Sequence, residues 1–275
     1  MASIIHEMIV GFLHEHLILL FNQTYSPSRK DRVKIYTNLK KRGGDKEYQH
    51  SVKTPDMGLL MRNQDDTRND LKWTLEVGVS QTYPDLQADA RLWLVGHPTC
   101  SMVVLINVTE SPKYRCPLAV DLDLCDKLEI PRVVSQITEG DFSLDGEYGP
   151  VTHKGYQWVG EISEVFLEVW TLDPQGKEPM RREQGGGRMF LIPPTDASPQ
   201  LELADFLFPD QPQKTSFDWD KFRQDLKACL RSQAVERCRE WLIESMDAKK
   251  LAGNPAGNRA GTRAGTRAGV VGDES

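Results

Sequence analysis

From Met102 to Val108 the chain reads Met-Val-Val-Leu-Ile-Asn-Val, with a single polar residue in seven. A strand that alternates apolar and polar residues can leave one face wet, but an almost wholly apolar strand must be covered on both faces. This run therefore predicts an interior strand of a sheet with layers above and below. Just before it, Pro84 to Val95 reads as a helix, with Leu86, Ala90, Trp93 and Leu94 on one face. Pro84 suits a first-turn position, and Gly96 and Pro98 end the pattern. Before the helix, Lys72 to Val79 reads as another strand. A strand, a helix of this length and a strand make a right-handed crossover unit with a parallel strand pair.

The upstream segments complete the order. Ile4 to Phe21 carries Ile5, Met8, Ile9, Phe12, Leu13, Leu17 and Leu20 at helical spacing. Gly11 within it costs helix stability and is expected to admit a close neighbour. A strand is expected over Val33 to Leu39, a turn at Gly43-Gly44, and a strand over Met57 to Met61. The polar loop 63–70 suits a hairpin between that strand and the next. The order is helix, three strands, helix, strand. Further on, Val165 to Leu172 and Arg188 to Ile192 read as strands that pair antiparallel and extend the sheet. Asp218 to Met246 reads as a long C-terminal helix. After Leu251 the sequence becomes repetitive, with Arg259-Ala260-Gly261-Thr262 recurring as Arg263-Ala264-Gly265-Thr266. Such a tail buries too little apolar surface to offset its ordering entropy. Residues 1–110 are thus expected to form a core, 111–215 a β-rich extension of the same domain, 216–250 a helix and 251–275 a disordered tail.

Two carboxylates stand out against this pattern. Asp56 heads the run Asp56-Met57-Gly58-Leu59-Leu60, and Glu76 lies inside Leu71-Lys72-Trp73-Thr74-Leu75-Glu76-Val77. A charge inside an apolar strand needs a partner or an ion. Two acids on neighbouring strands can share a hard divalent cation, since Mg²⁺ takes one or two carboxylates with waters and substrate phosphates, and such a cation can hydrolyse a phosphodiester.

Composition bounds the rest. The net charge is −6, which argues against a protein that simply coats nucleic acid. Between Pro27 and Lys72, however, 12 Lys and Arg stand against 7 Asp and Glu, a local excess that suits a polyanion. The five cysteines are odd in number and scattered, which fits reduced thiols and an intracellular setting, cytoplasm or nucleus. The apolar N-terminus is broken by Glu7 and His14-Glu15-His16, reads as too short to span a bilayer and lacks a basic leader region. No membrane association is expected.

The helix–strand–strand–strand–helix–strand order with Pro55-Asp56 and Glu76 resembles the core of the PD-(D/E)XK, or restriction-endonuclease-like, superfamily. The run Glu76-Val77-Gly78-Val79-Ser80-Gln81-Thr82-Tyr83, followed by Leu86, Asp89-Ala90 and Trp93-Leu94, is similar to an uncharacterised branch common in fungal genomes. The resemblance implies an α/β fold, a mixed sheet flanked by helices with a β-rich extension and a C-terminal helix. It also implies Mg²⁺ or Mn²⁺ on Asp56 and Glu76, with Glu7 of the first helix as a third metal carboxylate. The implied activity is phosphodiester hydrolysis in nucleic acid, DNA ahead of RNA, and a homodimer is compatible with it.

In that family a lysine two residues after the Glu shares its strand face and orients or deprotonates the attacking water. Here Gly78 stands in that place. Gln81, which can orient water, and Arg91, whose planar fork can meet a phosphate, are the candidate replacements, because the family relocates its lysine to that helix. Lys72 shares the face by simple alternation but lies about 13 Å from Glu76 along the strand. The alternative is a catalytically degenerate fold kept as a binding or interaction module. Gly78-Val79-Ser80-Gln81-Thr82 departs from a G-x-S-x-G nucleophile elbow at Thr82, and His6-Glu7 has Val10 where a zinc-protease helix needs His.

Overall fold

A computed structural model describes residues 3–24, 31–63, 67–79, 81–117, 122–183, 187–195, 200–202 and 214–252. It divides into two compact units. Met1–Arg115 with Thr138–Glu236 make the first, and Cys116–Ile137 with Arg237–Ser275 make the second.

The first unit opens with helix α1, Ile4–Thr24, and continues through β1 (Val33–Tyr36), β2 (Lys41–Arg42), β3 (Val52–Lys53), β4 (Met57–Arg62) and β5 (Asn69–Gly78). Helix α2, Tyr83–Gly96, then leads into β6, Met102–Ser111. The main sheet runs β1-β4-β5-β6 and then turns to strands from the second half of the sequence. These are β10 (Glu161–Leu172), which lies directly beside β6, and β11 (Pro179–Arg181) and β12 (Arg188–Ile192), both beside β10. Among the described residues of this sheet only β5 and β6 pair in parallel, as expected for strands joined by a helical crossover; the other pairs are antiparallel. The protein is an α/β structure with a mixed sheet flanked by helices.

The apolar run of β6 lies in the sheet interior, and Met102 to Val108 is buried throughout. On one face Val103 and Leu105 pack with Leu86, Ala90, Trp93 and Leu94 of α2. A register shift in the β4–β5 pairing lies at Leu59/Leu60, opposite Trp73 and Leu71. It breaks strict alternation, so Leu71 joins the α2-side cluster. Lys72 is the extra residue at this shift, and its ammonium pairs with Asp70 at 3.3 Å.

Helix α1 packs on β5 and buries Ile5, Ile9, Leu13 and Leu17. Its Phe12 lies edge-on to Phe222 with ring centroids 5.2 Å apart, and Gln233 accepts from the Ile5 N–H. The stretch Ile4–Gln23 is long and apolar enough to cross a membrane by length and composition, which corrects the expectation that it is too short. No close approach occurs at Gly11, where a Cβ would meet nothing within 4 Å.

Three short strands, β7 (Ser143–Leu144), β8 (Val151–His153) and β9 (Tyr156–Val159), form a separate antiparallel sheet. β13 (Gln200–Glu202) and β14 (Lys214–Ser216) pair with each other. In the second unit, α3 (Leu122–Lys127) is followed by buried Leu128, Ile130 and Ile137. The closing helix α4, Trp219–Ala252, gives its first half to the first unit. Its later half buries Cys238, Trp241 and Leu242, and Arg239 donates to the Ile137 carbonyl at 2.7 Å. The helix runs past Met246 to Ala252, so Leu251 is helical rather than part of a tail; Leu and Ala are strong helix formers. The rest of the expected tail lies outside the described residues.

Candidate functional site

Antiparallel pairing sets Met57 of β4 opposite Leu75 of β5, so Asp56 arrives at the C-terminal half of β5. There its Oδ2 accepts the backbone N–H of Val77 at 2.7 Å. Glu76, one residue before, is 4% exposed and points to the α2 face. Trp93 on α2 donates its indole N–H to Glu76 Oε1 at 2.5 Å. Burial pushes the Glu76 carboxyl up to about 8; Lys53 opposes this, while Asp56 and Asp89 add to it and Trp93 opposes it. Desolvation is the largest cause and outweighs the charge of Asp56.

Lys53, the last residue of β3, supplies a cation here. Its ammonium lies 3.8 Å from Glu76 Oε2 and pairs directly with Asp89 of α2. β3 is held by β2, with Lys53 opposite Lys41. Gln81 donates to the other oxygen of Asp89 at 2.8 Å, so it stands next to the site through Asp89. Arg91 does not turn toward it. Its guanidinium pairs with Glu178 at 2.5 Å and Glu47 at 3.8 Å; two residues from both Asp89 and Trp93, it lies on the opposite side of the helix, about 200° of rotation away.

At Gly78, helix α2 lies close on β5. A Cβ there would lie 2.5 Å from Leu86 Cδ1 and 3.0 Å from its Cγ. The space beside Glu76 that a side chain at this position would use is filled by Leu86. Any side chain at position 78 would therefore have to displace Leu86 of α2.

Glu7 reaches the site through His6. The His6 ring faces Asp56 Oδ1 at 3.0 Å through Nε2 and Glu7 Oε1 at 3.2 Å through Nδ1. Burial pulls the imidazole pKa down, but the two carboxylates outweigh it and the net direction is upward. Glu7 itself is largely exposed.

The structure thus gathers Asp56, Glu76, Lys53, Asp89, Gln81 and His6, with Glu7 at the rim. Sequence reasoning missed Lys53 and His6 as site residues. The one available signal was proximity, since Lys53 precedes Asp56 by three residues and His6 abuts Glu7. For a divalent cation, the candidate donors are Asp56, just before β4, and the buried Glu76 of β5. That suits an ion held by carboxylates and water. Among the described residues, no group of three or more His, Cys, Asp and Glu side chains is arranged to hold a metal. No family model, curated protein or solved structure matches the chain.

Proposed function

We propose that the chain is a Mg²⁺- or Mn²⁺-dependent nuclease of restriction-endonuclease-like type, with Asp56 and Glu76 as metal carboxylates and Lys53 as the site's lysine. The observation that carries this reading is the Lys53 ammonium, 3.8 Å from the Glu76 carboxylate. It replaces, from a different strand, the cation that Gly78 cannot provide. Bound metal would supply Lewis-acid stabilisation of the phosphate and a more acidic water. Lys53 would orient that water and offset phosphate charge. Asp89, with Gln81 behind it, holds the Lys53 ammonium in place. Trp93 sets the carboxylate plane of Glu76, and the Val77 N–H and His6 fix Asp56.

Incubation of the purified chain with labelled DNA and RNA, in Mg²⁺ and in Mn²⁺, tests the reading. Cleavage is expected, and Lys53→Met should lower its rate by about 10²–10⁴-fold, the range for loss of a positioned proton-handling group. Wild-type protein that cleaves neither substrate, or Lys53→Met that cleaves at the wild-type rate, would overturn it.

One observation favours a degenerate binding module instead: Glu76 and Asp89 already have protein donors in Trp93 and Lys53. On that reading Mn²⁺ titrated calorimetrically into wild type and Glu76→Gln gives the same result. The nuclease reading requires heat in wild type that Glu76→Gln loses.

A further inference from the structure

A second polar cluster lies on the same sheet face, on the other flank of α2. Register carries Glu76 to Leu105 on β6, Leu105 to Glu168 on β10, and Glu168 to Arg188 on β12. Residues in such a row point to one face, so Glu76, Glu168 and Arg188 share the α2 side. Strands sit about 4.8 Å apart, which sets Glu168 about 10 Å and Arg188 about 14 Å across the sheet from Glu76.

Glu168 is fully buried and four side chains donate to it. These are Tyr83 Oη at 2.7 Å, Trp170 Nε1 at 3.0 Å, Arg188 Nε at 3.0 Å and Arg181 Nη1 at 3.3 Å. Two guanidinium groups therefore face one carboxylate, each with about a third of its side chain exposed. Arg188 is further fixed by aromatic rings, its guanidinium carbon 3.8 Å from the Phe166 centroid and 5.1 Å from that of Tyr83. Arg188 engages Glu168 through Nε and also hydrogen-bonds Tyr83, with 31% of its side chain still exposed. Arg181 has one more partner, Glu183 at 3.3 Å, and that side chain is 73% exposed. An exposed pair of this kind is worth little and is readily exchanged. Tyr83 opens α2, seven residues after Glu76, so the chain itself ties the two clusters together.

We infer that Arg181 and Arg188, anchored from beneath by Glu168, form a phosphate-binding subsite for the backbone of a nucleic-acid strand whose scissile bond lies at Glu76. This rests on the nuclease reading for the second half of the statement, but the subsite itself does not require cleavage. A planar fork held rigid at its inner edge loses little entropy when its outer edge meets a phosphate. A span of about 14 Å corresponds to about four steps of a stacked strand at ~3.4 Å each. The contact reads phosphate, so it is indifferent to base sequence.

The experiment is fluorescence anisotropy of labelled DNA and RNA strands of one sequence with the full chain, in chelator, over a range of salt. Wild type should bind both with similar affinity. Arg181→Ala and Arg188→Ala should each weaken binding several-fold and flatten the plot of log affinity against log salt by about 0.7–0.9 per lost phosphate contact. Glu183→Gln should bind more tightly at an unchanged melting temperature, because it removes the exposed competitor for Arg181. That variant and Arg181→Ala decide the matter if Arg188→Ala does not fold. Absence of binding by wild type overturns the subsite, as does a wild-type salt slope in folded arginine variants together with unaltered affinity in Glu183→Gln. Binding that follows these arms without any cleavage in Mn²⁺ upholds the subsite and refutes the nuclease reading. Cleavage with no effect of the arginines does the reverse.

Discussion

Glu76 and Glu168 are the same side chain on one face of one sheet, two strands apart, and their surroundings displace them in opposite directions. Burial raises Glu76 to about 8. Glu168 also loses water, but Tyr83, Arg188, Trp170 and Arg181 outweigh that and lower it. A carboxyl that binds its proton more tightly folded than unfolded costs stability as pH rises between the two values. For Glu76 that window runs from about 4.5 to about 8. In chelator, Glu76→Gln should therefore gain on wild type through this window, by a few kcal/mol at its upper end, read from urea midpoints at stepped pH. A difference that does not change with pH would show that Glu76 is compensated. Gly78→Ala should cost about 1–3 kcal/mol by overpacking, because Leu86 occupies the space. Combining it with Leu86→Ala should cost less than the two separate losses summed; strict additivity in urea denaturation would contradict the contact. Asp56 and Glu76 were legible in the sequence because acids in apolar runs conflict with their setting. Lys53 was not, because it sits in a two-residue strand that has no pattern to read.

Among the elements, α2 is the one that both clusters use. It brings Trp93 and Asp89 to Glu76 and Tyr83 to Glu168. Trp93→Phe keeps the ring volume and removes the N–H from Glu76. The penalty of an unmet buried acceptor is about 1–3 kcal/mol, and more for a charged one. The melting loss should accordingly be larger in alkaline buffer, where Glu76 is ionised, than at neutral pH; an equal loss would mean that Trp93 acts by packing alone. Long periodic elements were readable: α1, β5, α2, β6 and β12 lie within a few residues of their expected bounds. The register shift at Leu59/Leu60 was not, because it arises between strands and leaves no mark in either one. The strands β7, β8 and β9 were missed since each is too short to show alternation. β10 was legible as a strand, but its seat beside β6 was not. An extension at the sheet's edge and a neighbour at its centre have the same local sequence.

At the scale of the whole molecule, the cysteines divide by burial. Cys116 is exposed, while Cys100 and Cys229 are pushed up to about 12 by burial. Alkylation of native protein followed by peptide mass spectrometry should modify Cys116 first and the other four only after unfolding. Early labelling of Cys100 would show that the α2–β6 layer opens. The position of β10 has a further consequence for how the chain is made. β6 gains its partner β5 as soon as α2 has crossed, but its other edge waits for residues some fifty positions later in the chain. While a ribosome is still extending the chain, the most apolar strand in the protein presents an unpaired edge, the kind of edge that recruits a neighbouring nascent chain. Fragments ending near Arg115 should therefore aggregate where the chain through Ala252 stays dispersed, and the vulnerable interval of synthesis closes only when Leu172 has emerged.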